Sequence, residues 1–329
     1  LLGATGRKIG KTELASALIR RFGRDRPLVA VKVTPVDDIR EETPPVEGGT
    51  LLSHRPDRGF FIWQEQSPDG IKDTSRLLRA GASRVFWMVV MADRTDEALR
   101  ELLEIVGPDS PLVCESNSLR LVAEPGIFLL VRNDNPDKTK RSLGLVRKYV
   151  DRVVVSSGKR FDLDLDDISL EEGRFRVKLL ASALVMADGT WDTNLTVPGN
   201  RGGCRKELVE AAVSYLRPWF KQLSVACSRH DSCPLVEIPV VTVADTPPVL
   251  PRTIEYALRA SLYDRLLVTA CDPDRIDIGS IRNILRENPG SDAVLSPSPQ
   301  NPAIPAFGVF PKAILPALQR MIESGDSEF

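Results

Sequence analysis

Short apolar runs alternate with amphipathic segments along the chain, and this alternation constrains the fold more than any other feature of the sequence. In the first half, PLVAVKV (27–33) and SRVFWMVVM (83–91) are typical of buried strands. TDEALRELLEIVG (95–107) has the period of an amphipathic helix. Strands that are joined through helices run parallel and are covered on both faces. The sequence therefore predicts an α/β fold with a doubly wound, mostly parallel sheet.

The same alternation starts again near residue 181, which predicts a second α/β domain with its own core. Residues 206–220 and 251–261 have the pattern of amphipathic helices. The segment between the halves, FDLDLDDISLEEGRF (161–175), is acidic and has no long apolar face. We interpret it as a connector with little structure, or alternatively as a solvated edge hairpin. The predicted organisation is a P-loop domain at 1–160, an acidic linker at 161–180 and a second domain at 181–329.

Charge and cysteine content exclude several classes of protein. The 329 residues carry a formal net charge of -1, which argues against binding to nucleic acid or to an anionic membrane surface. No apolar run is long enough to span a bilayer and no signal peptide is present, so a cytoplasmic location is expected. The 5 cysteines form no C-x-x-C pair. The chain begins almost inside its first strand without a methionine, so a few residues are expected to precede Leu1.

GATGRKIGKTELASALIRRF (3–22) has the composition of a phosphate-binding loop that runs into a helix. Such a loop needs glycines for tight turns, inward backbone N–H groups, a lysine for the outer phosphates and a hydroxyl for Mg²⁺. Gly10, Lys11 and Thr12 supply the essential triplet, whereas Thr5 stands where the usual first glycine would fall. The sequence therefore predicts that Lys11 and Thr12 hold a nucleoside triphosphate and its Mg²⁺.

The placement of this loop also favours a phosphate site. An apolar strand precedes it and an amphipathic helix follows, so a bound phosphate would lie at a helix N-terminus. Gly6 flanks the atypical position and is predicted to contact the nucleotide. Arg7 and Lys8 add two positive charges, which are costly to cluster unless an anion binds beside them. A glycine-rich turn with incidental lysines is the alternative interpretation.

Three further features follow the loop in order. They are a lysine in a strand (AVKVTP), the segment KDTSRLLRAGASRVFW, and a strand that ends in an acid (PLVCES). This order resembles molybdopterin-guanine dinucleotide biosynthesis protein B, a P-loop GTPase-like family, over residues 1–158. The positions that match the family pattern are Lys32, Asp73, Arg76, Ala80, Gly81, Ala82 and Glu115.

The resemblance implies binding of GTP or another nucleoside triphosphate, with Lys32 in the nucleotide site. An acid at the carboxyl end of a strand beside the P-loop strand can anchor Mg²⁺ and its water. Glu115, with Asp73 as a second acid, is therefore predicted to bind metal together with Thr12. Solvated carboxylates are the alternative for both acids. VKVTPVDD (31–38) lacks the family's histidines and no clear guanine-recognition motif is present, so the base preference stays open.

The second half is similar to molybdenum cofactor guanylyltransferase over about residues 181–329. LLVTACDPD (266–274) stands where that family has its metal-binding aspartate, here Asp272. VTVADTPPVL (241–250) places Asp245, and PAFGVFPKAILPALQRMIESGD matches the closing segment. The similarity implies a nucleotidyltransferase-like, Rossmann-like, three-layer α/β domain in which Asp245 and Asp272 bind metal.

The second half departs from that family at its opening motif. LVMADG stands in place of L-A-G-G, which puts Asp188 and Gly189 at the predicted nucleotide-binding turn. RGGCRK (201–206) fits R-x-G-x-x-K through Arg201 and Lys206, but it lies farther from Gly189 than in the family. Either a lengthened loop still brings these cations to the triphosphate, or the site has decayed while the fold was kept.

Together these features predict a two-domain fusion that serves molybdenum cofactor maturation. The P-loop domain would bind or hydrolyse a nucleoside triphosphate. The second domain would transfer a nucleotide to molybdopterin or another phosphorylated small molecule and release pyrophosphate. Lys11, Arg201, Lys206 and Asp272 are the predicted catalytic residues, because Mg²⁺ and basic side chains must neutralise phosphate charge. A non-catalytic nucleotide- or cofactor-binding protein and a small-molecule kinase that uses the P-loop domain are the alternatives.

Overall fold

The structure is a computed structural model in which two compact units are distinguished, Leu1–Val177 and Lys178–Phe329. Each unit is an α/β structure and is described by itself. The residues that the structure describes are 1–6, 8–133, 141–158, 160–187, 206–227, 238–242, 250–271, 273–287, 290, 292–297 and 305–325.

The first unit is built on a mixed sheet of eight strands. They are β1 (Leu2–Ala4), β2 (Val29–Val36), β3 (Gly49–Arg55), β4 (Phe60–Glu65), β5 (Arg84–Met91), β6 (Leu112–Glu115), β7 (Leu129–Asn133) and β8 (Arg152–Ser156). Their order is β3-β4-β5-β2-β6-β1-β7-β8. In this sheet order, the six strands from β5 to β8 are parallel, as predicted. Strands β3 and β4 add an antiparallel hairpin at one edge of the sheet. This hairpin is not among the predicted elements, although FFIWQE (60–65) carries the apolar run of a buried strand.

Helices cover both faces of this sheet, which is why its strands are apolar on both sides. The helices are α1 (Lys11–Phe22), α2 (Asp73–Arg79), α3 (Thr95–Val106) and α4 (Arg141–Val146). On β2, Ala30 packs in the core that contains Leu14 of α1, whereas Val31 packs in the core that contains Leu99 and Leu102 of α3. Each buried valine or leucine side chain of this kind contributes about 1.5–3 kcal/mol. The alternation along β2 therefore ties α1 to one face of the sheet.

The acidic segment after β8 belongs to the first unit, so the predicted unstructured linker at 161–180 is wrong. It forms a two-stranded antiparallel hairpin, β9 (Ile168–Glu171) and β10 (Arg174–Val177), and the chain divides after Val177. Ile168 and Val177 are paired across the hairpin and both lie in the core beneath α1. The alternative interpretation is correct in that a hairpin forms, but one face of the hairpin is buried in the core and is not solvated. Its period-two apolar face spans only two residues on each strand, and the segment that precedes it is acidic.

Replacement of Phe175 by alanine should test whether this hairpin is part of the folded core. The Phe175 ring lies edge-on to the Phe22 ring with centroids 5.5 Å apart, and the side chain is buried. Loss of a buried phenyl ring is expected to lower the free energy of unfolding by about 3 kcal/mol, measured by urea denaturation of the full chain. Ile71→Ala is the matched control, because Ile71 is 96% exposed. An equal, small effect of both substitutions would contradict a structural role for the hairpin.

The second unit contains a six-stranded sheet with helices on both faces. Its strands are β11 (Ser182–Met186), β12 (Leu223–Cys227), β13 (Val240–Thr242), β14 (Arg265–Ala270), β15 (Val294–Pro297) and β16 (Pro305–Pro311). Its helices are α5 (Lys206–Leu216), α6 (Leu250–Ala260), α7 (Ile278–Glu287) and α8 (Leu315–Ser324). The strand order is β13-β12-β11-β14-β16-β15, and β16 runs antiparallel to both of its neighbours.

Side chains of β11 alternate between two cores, which makes the second unit three layers deep. Val185 packs in the core that contains residues of α5 and α7, and Leu184 packs in the core that contains residues of α6 and α8. Strand order reverses between β11 and β14, which are parallel neighbours. In open α/β sheets such a reversal leaves a crevice at the carboxyl ends of the strands. Among the helices within the described ranges, none is long and apolar enough to cross a membrane.

Candidate functional site

A cavity of about 710 Å³ lies in the first unit, where the loop after β1 meets the ends of β2 and β6. Parallel strands place their carboxyl ends at the same edge of a sheet, and α1 begins at this edge. The cavity therefore collects residues that are far apart in sequence. The predicted site residues that line it are Gly6, Lys8, Gly10, Lys11, Thr12, Lys32, Asp73 and Glu115.

The loop after β1 makes its tight turns at Lys8 and Gly10. Lys8 has φ of 56° and Gly10 has φ of 95°, so both occupy the left-handed region. Thr5 instead donates its N–H to the Val131 carbonyl at 3.0 Å, which extends the strand pairing by one residue. The position of the usual first glycine thus keeps the hydrogen bonding of the strand, and a left-handed lysine supplies the turn. A non-glycine residue in this region costs about 1–2 kcal/mol, a strain typical of ligand-binding loops.

Gly10 is required by space as well as by conformation. A Cβ added at this position would lie 2.9 Å from Ser156 Oγ and 3.3 Å from the Phe161 ring. The close approach of the loop to these two residues brings the N-terminus of α1 against the end of β8. The first-turn N–H groups of a helix have no partners within the helix, and they attract anions. Gly10 therefore shapes the end of α1 that faces the cavity.

Asn117, which the sequence analysis did not identify, braces the strand that leads into the loop. Its Oδ1 accepts from the Ala4 N–H at 2.8 Å, and its Nδ2 donates to the Ala4 carbonyl at 3.0 Å. A Cβ added at Gly3 would lie 2.9 Å from the same Oδ1, so glycine is needed there for close packing. The only sequence signal for this role is the position of Asn117, two residues after the acid that ends β6.

Glu115 is a buried acid with a side-chain oxygen that lacks a partner. Its exposed fraction is 1%, and Oε2 accepts from Thr12 Oγ1 at 3.3 Å. Within the described ranges, Oε1 has no hydrogen-bond partner. Burial raises the pKa of Glu115 above its ordinary value, and the nearby charge of Lys11 opposes this rise only in part. A buried carboxylate oxygen without a partner is costly, and a cation or a bound water would satisfy it.

The residues present fit a Mg²⁺ ion that is held mainly by a ligand. Thr12 supplies a hydroxyl and Glu115 a carboxylate, side by side at the start of α1. Among the residues that the structure describes, no group of three or more His, Cys, Asp or Glu side chains could hold a metal ion. Mg²⁺ in nucleotide sites takes one or two protein oxygens and completes its shell with phosphates and water. The donor set therefore suits Mg²⁺ bound together with a polyphosphate.

Asp73, predicted as a metal ligand, is an ion-pair partner of two cations. Lys32 Nζ donates to its carboxylate, and Arg76 Nη1 lies 3.7 Å from Oδ1. Arg76 Nη2 also donates to Glu13 Oε1 at 2.6 Å. Burial acts to raise the pKa of Asp73, but the hydrogen bond and charge of Lys32, with the charges of Arg76 and Lys11, bring it below its ordinary value. Asp73 is therefore ionised at neutral pH and holds Lys32 at the wall of the cavity.

The predicted site residues of the second half lie mostly outside the described residues. Lys206 is described: it is the first residue of α5, is exposed, and forms an ion pair of 3.6 Å with Glu210. Met186 and Ala270 are register partners at the ends of β11 and β14, so the segments that follow these strands start next to each other. Those that lie outside the described residues are Asp188, Gly189, Arg201, Asp245 and Asp272, together with Arg7 of the first half.

Comparison with known proteins does not assign the chain to a family. No family model and no curated protein matches it. The solved structure of the protein Aq1419 from Aquifex aeolicus VF5 is similar to part of it, with 15% identity over 45% of this chain and 78% of that one. The TM-score is 0.36, a likeness too low to carry an argument about fold or activity.

Proposed function

We propose that the first unit binds the Mg²⁺ complex of a nucleoside triphosphate. The observation that carries the proposal is the pairing of Thr12 with the buried Glu115 at the start of α1, where one carboxylate oxygen has no hydrogen-bond partner. At this place a helix N-terminus, which favours phosphate, lies beside oxygen atoms that favour Mg²⁺. Lys11, the first residue of α1, directly precedes Thr12 and lines the same cavity.

The charges around the cavity also support an anionic ligand. Its lining within the described ranges contains four cations (Lys8, Lys11, Lys32, Arg76) and three carboxylates (Glu13, Asp73, Glu115). The excess of positive charge would stabilise phosphates, and the α1 N–H groups would donate to them. A bound Mg²⁺ supplies neutralisation of phosphate charge. Thr12 and Glu115 would hold it, while Lys11 would donate to the outer phosphates.

We further propose, on the resemblance of the second half, that the whole chain transfers a nucleotide to the phosphate of a pterin such as molybdopterin. The acceptor oxygen would attack the α-phosphorus of GTP or another nucleoside triphosphate, and pyrophosphate would leave. Two observations support this role for the second unit: its strand order reverses at β11 and β14, and the matched residue Asp272 comes two residues after the end of β14 in the sequence. Ligands of open α/β sheets bind at such reversals. The first unit would then bind or hydrolyse the nucleotide as an accessory site.

Calorimetry on the full chain with GTP, CTP and ATP in the presence of Mg²⁺ tests both proposals. The wild type, Lys11→Ala and Asp272→Ala are compared. Two sites, each lost in one variant, are expected if both units bind nucleotide. One site that is lost only in Lys11→Ala would support the first proposal and remove the transferase role. No binding to the wild type, with or without Mg²⁺, would contradict both.

Product analysis separates the remaining alternatives. Release of pyrophosphate in the presence of a phosphorylated pterin acceptor would support the transferase. Transfer of the terminal phosphate to a small-molecule hydroxyl would favour a kinase that uses the P-loop. Binding without either product would identify a non-catalytic nucleotide-binding protein.

A further inference from the structure

Arg76 lies on α2 and is held at the cavity between two carboxylates. Nη2 donates to Glu13 Oε1 at 2.6 Å, and Nη1 lies 3.7 Å from Asp73 Oδ1. Asp73 is in turn the partner of Lys32. These contacts form one line of charges from the first turn of α1 to Lys32 of β2, along one wall of the cavity.

The ion pair between Glu13 and Arg76 belongs to the cavity lining and therefore bears on ligand binding. Glu13 lies on the first turn of α1, one residue after Thr12, and it also lines the cavity. A carboxylate at this place favours the helix dipole, but it would repel a polyphosphate bound at the same helix end. Arg76 offsets that repulsion, and its hydrogen bond lowers the pKa of Glu13. A guanidinium has five N–H donors in a planar fork, so Arg76 can contact a phosphate as well as a carboxylate.

The position of Arg76 in the cavity wall would bring it near the outer end of a bound polyphosphate. In a P-loop site the lysine of the loop reaches the outer phosphates, and the Mg²⁺ ligands lie beside them. Arg76 lines the same cavity as Lys11 and Glu115. It therefore borders the space in which the outer phosphates would lie. Its side chain is 37% exposed, which leaves it room to change partner.

We propose that Arg76 makes this site selective for a triphosphate over a diphosphate, by moving its guanidinium from Asp73 and Glu13 to the terminal phosphate. The inference rests on the proposed nucleotide site of the first unit. Lys32 keeps Asp73 neutralised when Arg76 leaves, so the exchange does not leave a buried unpaired carboxylate. An arginine placed in this way supplies charge to the terminal phosphate from within the same chain.

The test is the ratio of diphosphate to triphosphate dissociation constants, measured by calorimetry with Mg²⁺ on the full chain. The probes are the triphosphate among GTP, CTP and ATP that the wild type binds most tightly, and its diphosphate. Arg76→Ala is expected to lower this ratio by about 10-fold or more, with little change in diphosphate affinity. Arg76→Lys should restore only part of the ratio, because an ammonium lacks the planar fork.

Two further variants make the result decisive. Arg79→Ala removes an arginine of the same helix that donates to the Pro68 and Gly70 carbonyls and does not line the cavity, so the ratio should not change. Glu13→Gln leaves Arg76 in place and removes its partner, so triphosphate affinity should rise. This second variant also covers the case in which Arg76→Ala does not fold.

The outcomes distinguish failure of the role proposed for Arg76 from failure of the proposed nucleotide site. An unchanged ratio in folded Arg76→Ala, or weaker triphosphate binding in Glu13→Gln, would overturn the role of Arg76 while the nucleotide site stands. A wild-type chain that binds neither nucleotide would overturn the nucleotide site itself.

Discussion

Lys11→Ala is expected to weaken the binding of a Mg²⁺–nucleoside triphosphate to the first unit by at least about 30-fold. Lys11 is the first residue of α1 and lines the cavity beside Thr12. Removing one partner of a largely desolvated charge pair costs about 2–5 kcal/mol, and each 1.4 kcal/mol is roughly a factor of ten. Alanine is the best helix former, so α1 should keep its structure. Calorimetry and thermal denaturation of the same samples measure the two effects separately.

Lys72→Ala is the matched control for this variant. Lys72 is exposed, precedes α2 and does not line the cavity, so its removal changes the net charge by the same amount without removing a cation of the cavity wall. Its effect on affinity should be less than about threefold, because exposed charges are screened by salt. Equal losses in the two variants would show that binding depends on overall charge and not on a phosphate-binding loop.

Glu115→Gln is expected to change stability and ligand binding in opposite directions. Burial raises the pKa of Glu115, so ionised Glu115 destabilises the folded chain at neutral pH. The neutral amide keeps an acceptor for Thr12 and removes the buried charge. The variant should therefore be more stable without ligand by about 1–3 kcal/mol. With nucleotide it should lose affinity for the Mg²⁺ complex by about 10- to 100-fold, because the carboxylate no longer anchors the ion.

The raised pKa of Glu115 determines how the stability of the ligand-free protein should change with pH. The pKa of Glu115 is higher in the folded state than in the unfolded state, so its contribution to stability is greatest at low pH. That contribution is lost as the pH rises from the unfolded pKa through the folded pKa. The stability difference between Glu115→Gln and the wild type should thus grow across this window and vanish below it. Thermal denaturation at several pH values measures it.

Glu104→Gln serves as the control for both measurements. Glu104 is exposed on α3, so its neutralisation should leave stability within about 0.5 kcal/mol and nucleotide affinity unchanged. A Glu115→Gln variant that is less stable than the wild type at neutral pH would contradict the account of Glu115 as an unsatisfied buried acid. A variant with unchanged affinity for the Mg²⁺ complex would remove Glu115 from the proposed metal site.

Local patterns in the sequence were sufficient for the α/β class and for most of its elements. The apolar run at 83–91 predicted β5, and the period of 95–107 predicted α3. Both signals are local, because a strand buried on two faces and a helix buried on one must carry those residues wherever they pack. The prediction of a phosphate-binding triplet at Gly10, Lys11 and Thr12 also came from a local pattern. The turn geometry and the helix N-terminus that the triplet needs lie within about ten residues of the chain.

The tertiary structure alone decided which distant residues meet and which partners they take. The hairpin at 168–177 could not be told from a solvated linker, because its apolar face is only two residues wide on each strand and depends on α1 to cover it. Asn117 could not be identified, because its contacts with Ala4 join segments 113 residues apart. Asp73 likewise received Lys32 as a partner only when β2 and α2 packed together. Composition and hydrophobic period specify which side chains each segment can bury. The pairing of charged side chains from different segments depends on distances that are fixed only in the folded chain.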